Sequence, residues 1–277
     1  MEDLDFSTPQ EQKAIYDANG AQAFFGAAGK TETLKQGAVV FNAGDSGDKM
    51  YLLIAGDVAL SAGGKAIDTI RKGEIFGEMS AISGQPRTAG AAAKTPCQVM
   101  SLDRKQFLDA LRSKPEFSLN LMNMVIARMR LTLATLRIRG GLKSEDGGHE
   151  GRVMDFAVLN VMMRALGEKA RMHYPINRTI ITEGTAGIFM YVVIEGSVAI
   201  SIQGKQVERV GPGGVFGELA LIDKGTRAAS VVAASDCTLL AVDRNSFLDL
   251  VRKRPEIGVE LLKSLSDRLR YLTGLRK

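Results

Sequence analysis

Histidine and cysteine are almost missing: His149, His173, Cys97 and Cys237 are the whole supply in 277 residues. Two cysteines build neither a disulfide framework nor a thiolate zinc site. Two histidines leave a hydrolase or metalloenzyme short of its commonest general base and metal ligand. His149 lies among glycines and His173 precedes Tyr174-Pro175, so neither has a catalytic companion nearby. No apolar run reaches the roughly 18 residues of a membrane span. The N-terminus, MEDLDFSTPQ, is acidic rather than a signal peptide, which points to a cytoplasmic chain. Glycine, by contrast, is plentiful at thirty residues, which suits many turns between short strands or close approach of backbone to a ligand. The composition favours a turn-rich binding protein over an enzyme.

The net charge of +5 is unevenly spread. Residues 1–35 carry six acids and three bases, whereas residues 244–277 carry nine bases and four acids. A basic tail can bind nucleic acid or an acidic membrane surface. Here Asp249, Glu256, Glu260 and Asp267 interleave the bases, so the reading is solvated faces of amphipathic helices, with nucleic acid and membrane not expected as partners.

The chain is written twice. Gly44, Met50, Tyr51, Gly56, Phe76, Gly77, Glu78, Arg87, Cys97, Asp103, Arg104, Phe107, Pro115 and Arg128 each recur 140 residues later, as in 218 − 78 = 140. No insertion or deletion interrupts the match, which marks a tandem duplication of a normal domain size. The division expected is a first domain over 1–139, a Gly-rich linker over 140–152 and a second domain over 153–277.

Each unit reads alike. A helical stretch opens it, around Pro9–Ala18 and then 153–167, the latter with Val153, Phe156, Leu159, Met163 and Leu166 on one face. Short alternating apolar runs follow (Met50–Ile54, Val58–Ser61, Met190–Ile194, Val198–Ile202), as in a barrel or sandwich. Asp103 is a suitable N-cap for a helix through Phe107 and Leu111 that stops ahead of Pro115. A long helix follows over 116–139, with Met122, Val125, Met129, Leu133 and Leu136 on its apolar face and Arg128, Arg130, Arg137 and Arg139 on its polar face. That apolar face makes it a candidate homodimer contact. The second copy is shorter, from Ile257 to Leu275.

The densest motif is FGEMSAISGQPRTA at 76–89, repeated as FGELALIDKGTRAA at 216–229. A Gly-Glu pair opens a short helix-like segment, and an arginine lies nine positions after the glutamate. This chemistry fits an anion attached to a sugar. A helix N-terminus offers free N–H groups, arginine offers a forked donor for phosphate, and an ionised glutamate accepts from a ribose hydroxyl. GAAGKT at 26–31 imitates a phosphate-binding loop, but the glycine needed five positions before Gly29 is Phe24. Cys97 and Cys237, at equivalent positions, read as small buried hydrophobes.

Together these residues resemble the phosphate-binding cassette of the cyclic-nucleotide-binding domain family, which includes the regulatory subunit of cAMP-dependent protein kinase and the bacterial catabolite activator protein. The resemblance covers about residues 5–139 and 153–277. It implies an α+β, mainly β fold: two tandem jelly-roll β-barrels flanked by helices. It implies that Gly77, Glu78, Met79, Ser80, Arg87, Thr88 and Ala89 form one cyclic-nucleotide site. Gly217, Glu218, Leu219, Ala220, Arg227, Ala228 and Ala229 would form the other. The glutamates would bind the ribose 2′-hydroxyl, and the arginines the cyclic phosphate. No catalytic residue and no metal is implied.

By the same resemblance, Ala228 after Arg227 suits cAMP, while Thr88 after Arg87 also admits cGMP; cAMP is favoured for the whole chain. Leu265, Arg268 and Tyr271 are candidates to cap the base. A cassette leucine that meets an aromatic residue of the hinge helix in kinase regulatory subunits has a match in Leu221 and Phe247, whereas the first copy has Ala81 and Phe107. A DNA-binding module is not expected, since the sequence given closes at Lys277, and no Arg-Arg-x-Ser/Ala inhibitor sequence precedes the first domain. The leading expectation is a cyclic nucleotide receptor that signals to a separate effector protein by rearranging its C-terminal helices. A non-enzymatic scaffold with weak or lost ligand binding is the alternative, and a DNA-binding regulator ranks third.

Overall fold

The computed structural model describes residues 17–138 and 149–275. The expected helix at Pro9–Ala18 and most of the linker at 140–152 therefore fall outside the described residues. The first helix is α1 (Ala18–Ala28), and it ends inside GAAGKT, which straddles α1 and β1 (Lys30–Leu34). Gly20 and Gly26 hide this helix from a pattern search, but its Phe24 ring stacks 3.8 Å from Phe117 and meets Phe107 edge-on.

The strands that follow are β2 (Val39–Phe41), β3 (Met50–Ala55), β4 (Val58–Ala62), β5 (Lys65–Ile70) and β6 (Ile75–Phe76). Helix α2 (Glu78–Ser83) is followed by β7 (Gly90–Ala93) and β8 (Cys97–Leu102). Two helices complete the first domain: α3 (Arg104–Ser113) and α4 (Phe117–Ile138). The second domain brings β9 (His149–Glu150), α5 (Phe156–Leu166), β10 (Arg171–Tyr174), β11 (Thr179–Ile181), β12 (Phe189–Glu195) and β13 (Val198–Ile202). Next come β14 (Lys205–Val210), β15 (Val215–Phe216), α6 (Glu218–Asp223), β16 (Ser230–Ala233) and β17 (Cys237–Asp243). It closes with α7 (Arg244–Lys253) and α8 (Pro255–Gly274).

Each domain is a jelly-roll sandwich of two antiparallel four-stranded sheets, in the orders β1-β8-β3-β6 and β2-β7-β4-β5, then β10-β17-β12-β15 and β11-β16-β13-β14. The apolar runs form the central strands: Met50 pairs with Leu102 and Met190 with Val242, all four buried. Two-residue turns of positive φ close the β4–β5 and β13–β14 hairpins, Gly63-Gly64 in one and Gln203-Gly204 in the other. The expected linker is not wholly loop, because β9 adds a parallel strand to the edge of β14.

Asp103 caps α3 with a full capping box to Gln106, and Asp243 accepts from the N–H groups of Asn245 and Ser246 at the start of α7. The face expected for 153–167 is revised. The helix starts only at Phe156 and buries Val158, Leu159 and Met162, leaving Val153 and Phe156 exposed.

The two domains meet through their long helices. Helix α4 packs along α8; in addition α8 packs on the first domain's α2, and α4 on the second domain's α6. A Cβ on Gly258 would stand 2.8 Å from the Ser118 hydroxyl, and these residues are repeat equivalents (258 − 118 = 140). Further along, Met129 and Leu133 line one cavity with Tyr271 and Leu272, the equivalents of 131 and 132, so the helices run parallel in one register, and the reciprocal α2–α8 and α4–α6 contacts make the relation an internal pseudo-two-fold. Met122, Val125, Met129, Leu133 and Leu136 are thereby buried within one core shared by both domains. The homodimer expected through 116–139 is corrected accordingly: the same chain already covers that apolar face.

Candidate functional site

The cassette begins where a strand turns into a short helix. Gly77 and Gly217 hold φ of +72° and +77° as N-caps of α2 and α6, a conformation that glycine adopts without strain. Each places a glutamate at the first helical position and aims the first turn at the mouth of the sandwich. Tyr51 stacks on Phe76 and Tyr191 on Phe216, with ring centroids 5.1 and 5.2 Å apart, giving each cassette the same floor.

Arg87 and Arg227 are nearly enclosed, at 5% and 7% exposure. Arg87 donates to the carbonyls of Gly77 (2.6 Å) and Lys49 (2.8 Å); Arg227 donates to those of Gly217 (2.7 Å) and Phe189 (2.7 Å). Among the described residues neither guanidinium has a carboxylate within salt-bridge distance, and the Nε of Arg87 is buried without a partner. Burial lowers the pKa of both from the ordinary arginine value, with Tyr51 opposing at Arg87 and Tyr191 at Arg227. A guanidinium stays charged at neutral pH regardless, so each cassette carries a buried cation that calls for an anion. Gly47 and Gly187 make room for these side chains. A Cβ there would lie 2.6 Å from the Arg87 Nε and 2.2 Å from the Arg227 guanidinium carbon.

Glu78 and Glu218 are buried beside them at 2% and 1% exposure. Each pairs with an arginine of its own domain's long helix, Glu78 with Arg128 and Glu218 with Arg268. These arginines also donate 2.8 Å hydrogen bonds to the carbonyls of Ile75 and Val215. Arg268 binds a second carboxylate, Glu208, at 2.9 Å. Two carboxylates thus share one guanidinium. Burial lifts the Glu218 pKa, with Arg268 opposing, and its Oε2 is buried with no hydrogen-bond partner. Burial presses Arg268 the other way, yet Glu208 and Glu218 outweigh it and keep the arginine charged. The expectation of solvated helix faces is corrected at these positions, since Arg268 is 12% exposed and ion-paired.

All fourteen expected site residues line cavities. Gly77, Glu78, Met79, Ser80, Arg87, Thr88 and Ala89 surround a space of about 360 Å³, with Phe41, Leu60, Phe76 and Arg128. Gly217, Glu218, Leu219, Ala220, Arg227, Ala228 and Ala229 surround a larger one of about 670 Å³. Arg268 and Tyr271 line this second cavity, whereas Leu265 is buried in the core and does not. Met129 and Leu133 of α4 reach it from the first domain. Sequence reasoning missed these two, having assigned them to a helix face. It also passed over Gly47 and Gly187, although they recur at the offset of 140. Leu221 and Phe247 are buried in the same core, as are Ala81 and Phe107.

Among the described residues no group of histidine, cysteine, aspartate and glutamate is placed to hold a metal ion, and no helix is long and apolar enough to cross a membrane. Comparison with known proteins adds the family. The chain is similar to the cyclic AMP receptor protein of Thermus thermophilus, 37% identical over 111 residues that cover 38% of this chain and 51% of the relative. The chain thus spans about half the length of that curated relative. Among solved structures, the Thermus thermophilus catabolite activator protein is 32% identical over 42% of this chain and 55% of its own, with a TM-score of 0.37. The regulatory domain of Toxoplasma gondii PKA with cAMP is 23% identical over 82% of this chain and 83% of its own, with a TM-score of 0.30. The family described as cyclic nucleotide-binding domain matches twice, at residues 31–114 and 171–254, again offset by 140 (171 − 31). The two matches take in more than half of the sequence, and the chain belongs to the cyclic nucleotide-binding domain family.

Proposed function

We propose that this chain is a two-site cyclic nucleotide receptor, with cAMP the favoured ligand and cGMP also admitted at the first site. One observation carries the reading: Arg87 and Arg227 are buried cations without a carboxylate partner among the described residues, each lining a cavity beside a buried glutamate. A cyclic phosphate would supply the missing negative charge, and the glutamate would accept from the ribose hydroxyl, a reading supported by the Oε2 of Glu218, which is buried without a hydrogen-bond partner. Ala228 leaves the second site without a hydroxyl beyond its arginine, while Thr88 offers one in the first, which is the basis for the difference in base preference.

The signal would travel through the long helices. Arg128 and Arg268 join the ribose-facing glutamates to α4 and α8, so a ligand that draws on Glu78 or Glu218 competes with those pairs and shifts the helices that hold the domains together. The receiver would be a separate effector protein; the chain itself binds and relays rather than turning a substrate over. Titration calorimetry of the full chain with cAMP and with cGMP tests this. Two binding events are expected with cAMP. Arg227→Ala should remove one and leave one, with a loss of more than about 100-fold for a buried charge-assisted phosphate contact. Absence of heat with either nucleotide at high micromolar concentration would refute the receptor reading.

A further inference from the structure

The loop that carries Arg227 is gripped from behind by the other domain. On α4, Arg130 binds Asp223 through two nitrogens and donates to the Thr226 carbonyl at 3.0 Å. One helical repeat of seven residues further on, Arg137 donates to Glu183 at 2.6 Å and to the Ala228 carbonyl at 3.0 Å. Thr226 and Ala228 flank Arg227, whose own N–H and C=O are already used by Thr185 and Gly184. The two arginines therefore take the carbonyl on each side of the phosphate-facing residue, anchored by one carboxylate apiece. Gly225 permits the approach, since a Cβ there would lie 2.7 Å from the Arg130 guanidinium.

Among the described residues the first cassette has no such grip. Ser83 and Ala43 stand at the positions of Asp223 and Glu183 (223 − 83 and 183 − 43 both equal 140), so both anchoring carboxylates are missing. Arg270, the equivalent of Arg130, packs in the matching interface with its Nε and one terminal nitrogen buried and without a partner. The Ser83 hydroxyl turns inward to the Met79 carbonyl at 2.6 Å. The repeat thus keeps an arginine at 130 and at 270, but only Arg130 has a carboxylate at the cassette to bind, and the equivalent of Arg137 is Lys277, outside the described residues.

We propose that Arg130 and Arg137 are positioning residues of the second site, supplied by the first domain: they fix the loop that aims Arg227, so the second site depends on its neighbour and the first does not. This rests on the cyclic nucleotide reading above, but its first test needs no ligand. In the unliganded full chain, Arg130→Gln with Arg137→Gln should speed amide hydrogen exchange at 227–229 by about tenfold, the loss of one charge-assisted hydrogen bond, and leave 87–89 unchanged. Asp223→Asn should do the same from the other side of the contact. Arg270→Gln should alter neither window. With cAMP as probe, the Gln pair should weaken one binding event by about tenfold and spare the other. Unaltered exchange at 227–229, or equal acceleration in both windows, overturns the proposal, the latter because it signals general loosening of the interface. A wild-type chain that binds no cyclic nucleotide would instead refute the receptor reading, while the exchange result still decides the positioning role.

Discussion

In the first domain Arg87 rests on the Phe41 ring, 4.1 Å from its centroid, and Glu78 has Arg128 to itself. In the second, Ile181 takes the place of Phe41, Glu218 shares Arg268 with Glu208, and Met129 and Leu133 cross from the sister domain to line the larger of the two cavities. The equivalent of Glu208 is Asp68, which is exposed. A duplication thus preserved the contacts that define the cassette while letting its surroundings drift. The shared part is what a nucleotide would need, and the divergent part determines how firmly each cassette is tied to the helices.

That comparison can be broken most severely at the shared ion pairs. Arg268→Ala would strand two buried carboxylates and should cost about 3–5 kcal/mol, clearly more than Arg128→Ala, which strands one beside a partner that is 30% exposed. Urea unfolding followed by circular dichroism measures both, and equal losses would mean that Glu208 adds nothing. Leu221→Ala should cost about 2–3 kcal/mol, as a buried leucine truncation does, and should raise hydrogen exchange over 244–275. Ala81 is wholly buried, so Ala81→Leu should destabilise the first domain by about 1–3 kcal/mol through overpacking rather than repair it.

A smaller difference lies at the ends of the cassette helices. Arg244 donates to the carbonyls of Leu221 and Ile222 and so closes α6, whereas α2 ends on Gly84, whose N–H reaches the Ser80 carbonyl at 2.8 Å. Arg244→Ala should therefore cost about 1.5–3 kcal/mol, and Arg104→Ala no more than about 0.5. The smallest effect is the pH response of Glu218. Its folded pKa is raised by burial, so on acidification the folded chain takes up a proton that the unfolded chain still lacks. The stability this group contributes is full below its unfolded pKa and is lost as pH rises through the folded one. The stability of the native chain relative to Glu218→Gln should accordingly improve between neutral pH and about pH 4.5, the ordinary glutamate value; a flat difference would contradict the raised pKa.

How much of this was legible in the sequence depends on distance along the chain. The cassettes are contiguous and repeated, so Gly77 to Ala89 and Gly217 to Ala229 could be read directly, and all fourteen residues meet in cavities. The caps at Asp103 and Asp243 were equally local. Arg128 and Arg268 were visible as a repeated pair but not as ion-pair partners, because each lies 50 residues from its glutamate. Arg130 and Arg137 were harder still. Their carboxylate partners are 93 and 46 residues away in the other domain, at positions where the repeat itself fails. The phase of α5 was misread because Val153 precedes the helix and continues its apolar spacing without belonging to it.

The meeting of Ser118 with Gly258 has a further consequence. Two separate chains that pair through their long helices fall apart on dilution, and their response then depends on how much of each is present. Here both helices belong to one polypeptide, so the tether sets their effective concentration and dilution cannot part them. Assembly of this interface therefore has no concentration threshold, and its burial should stay fixed whether the chain is scarce or abundant.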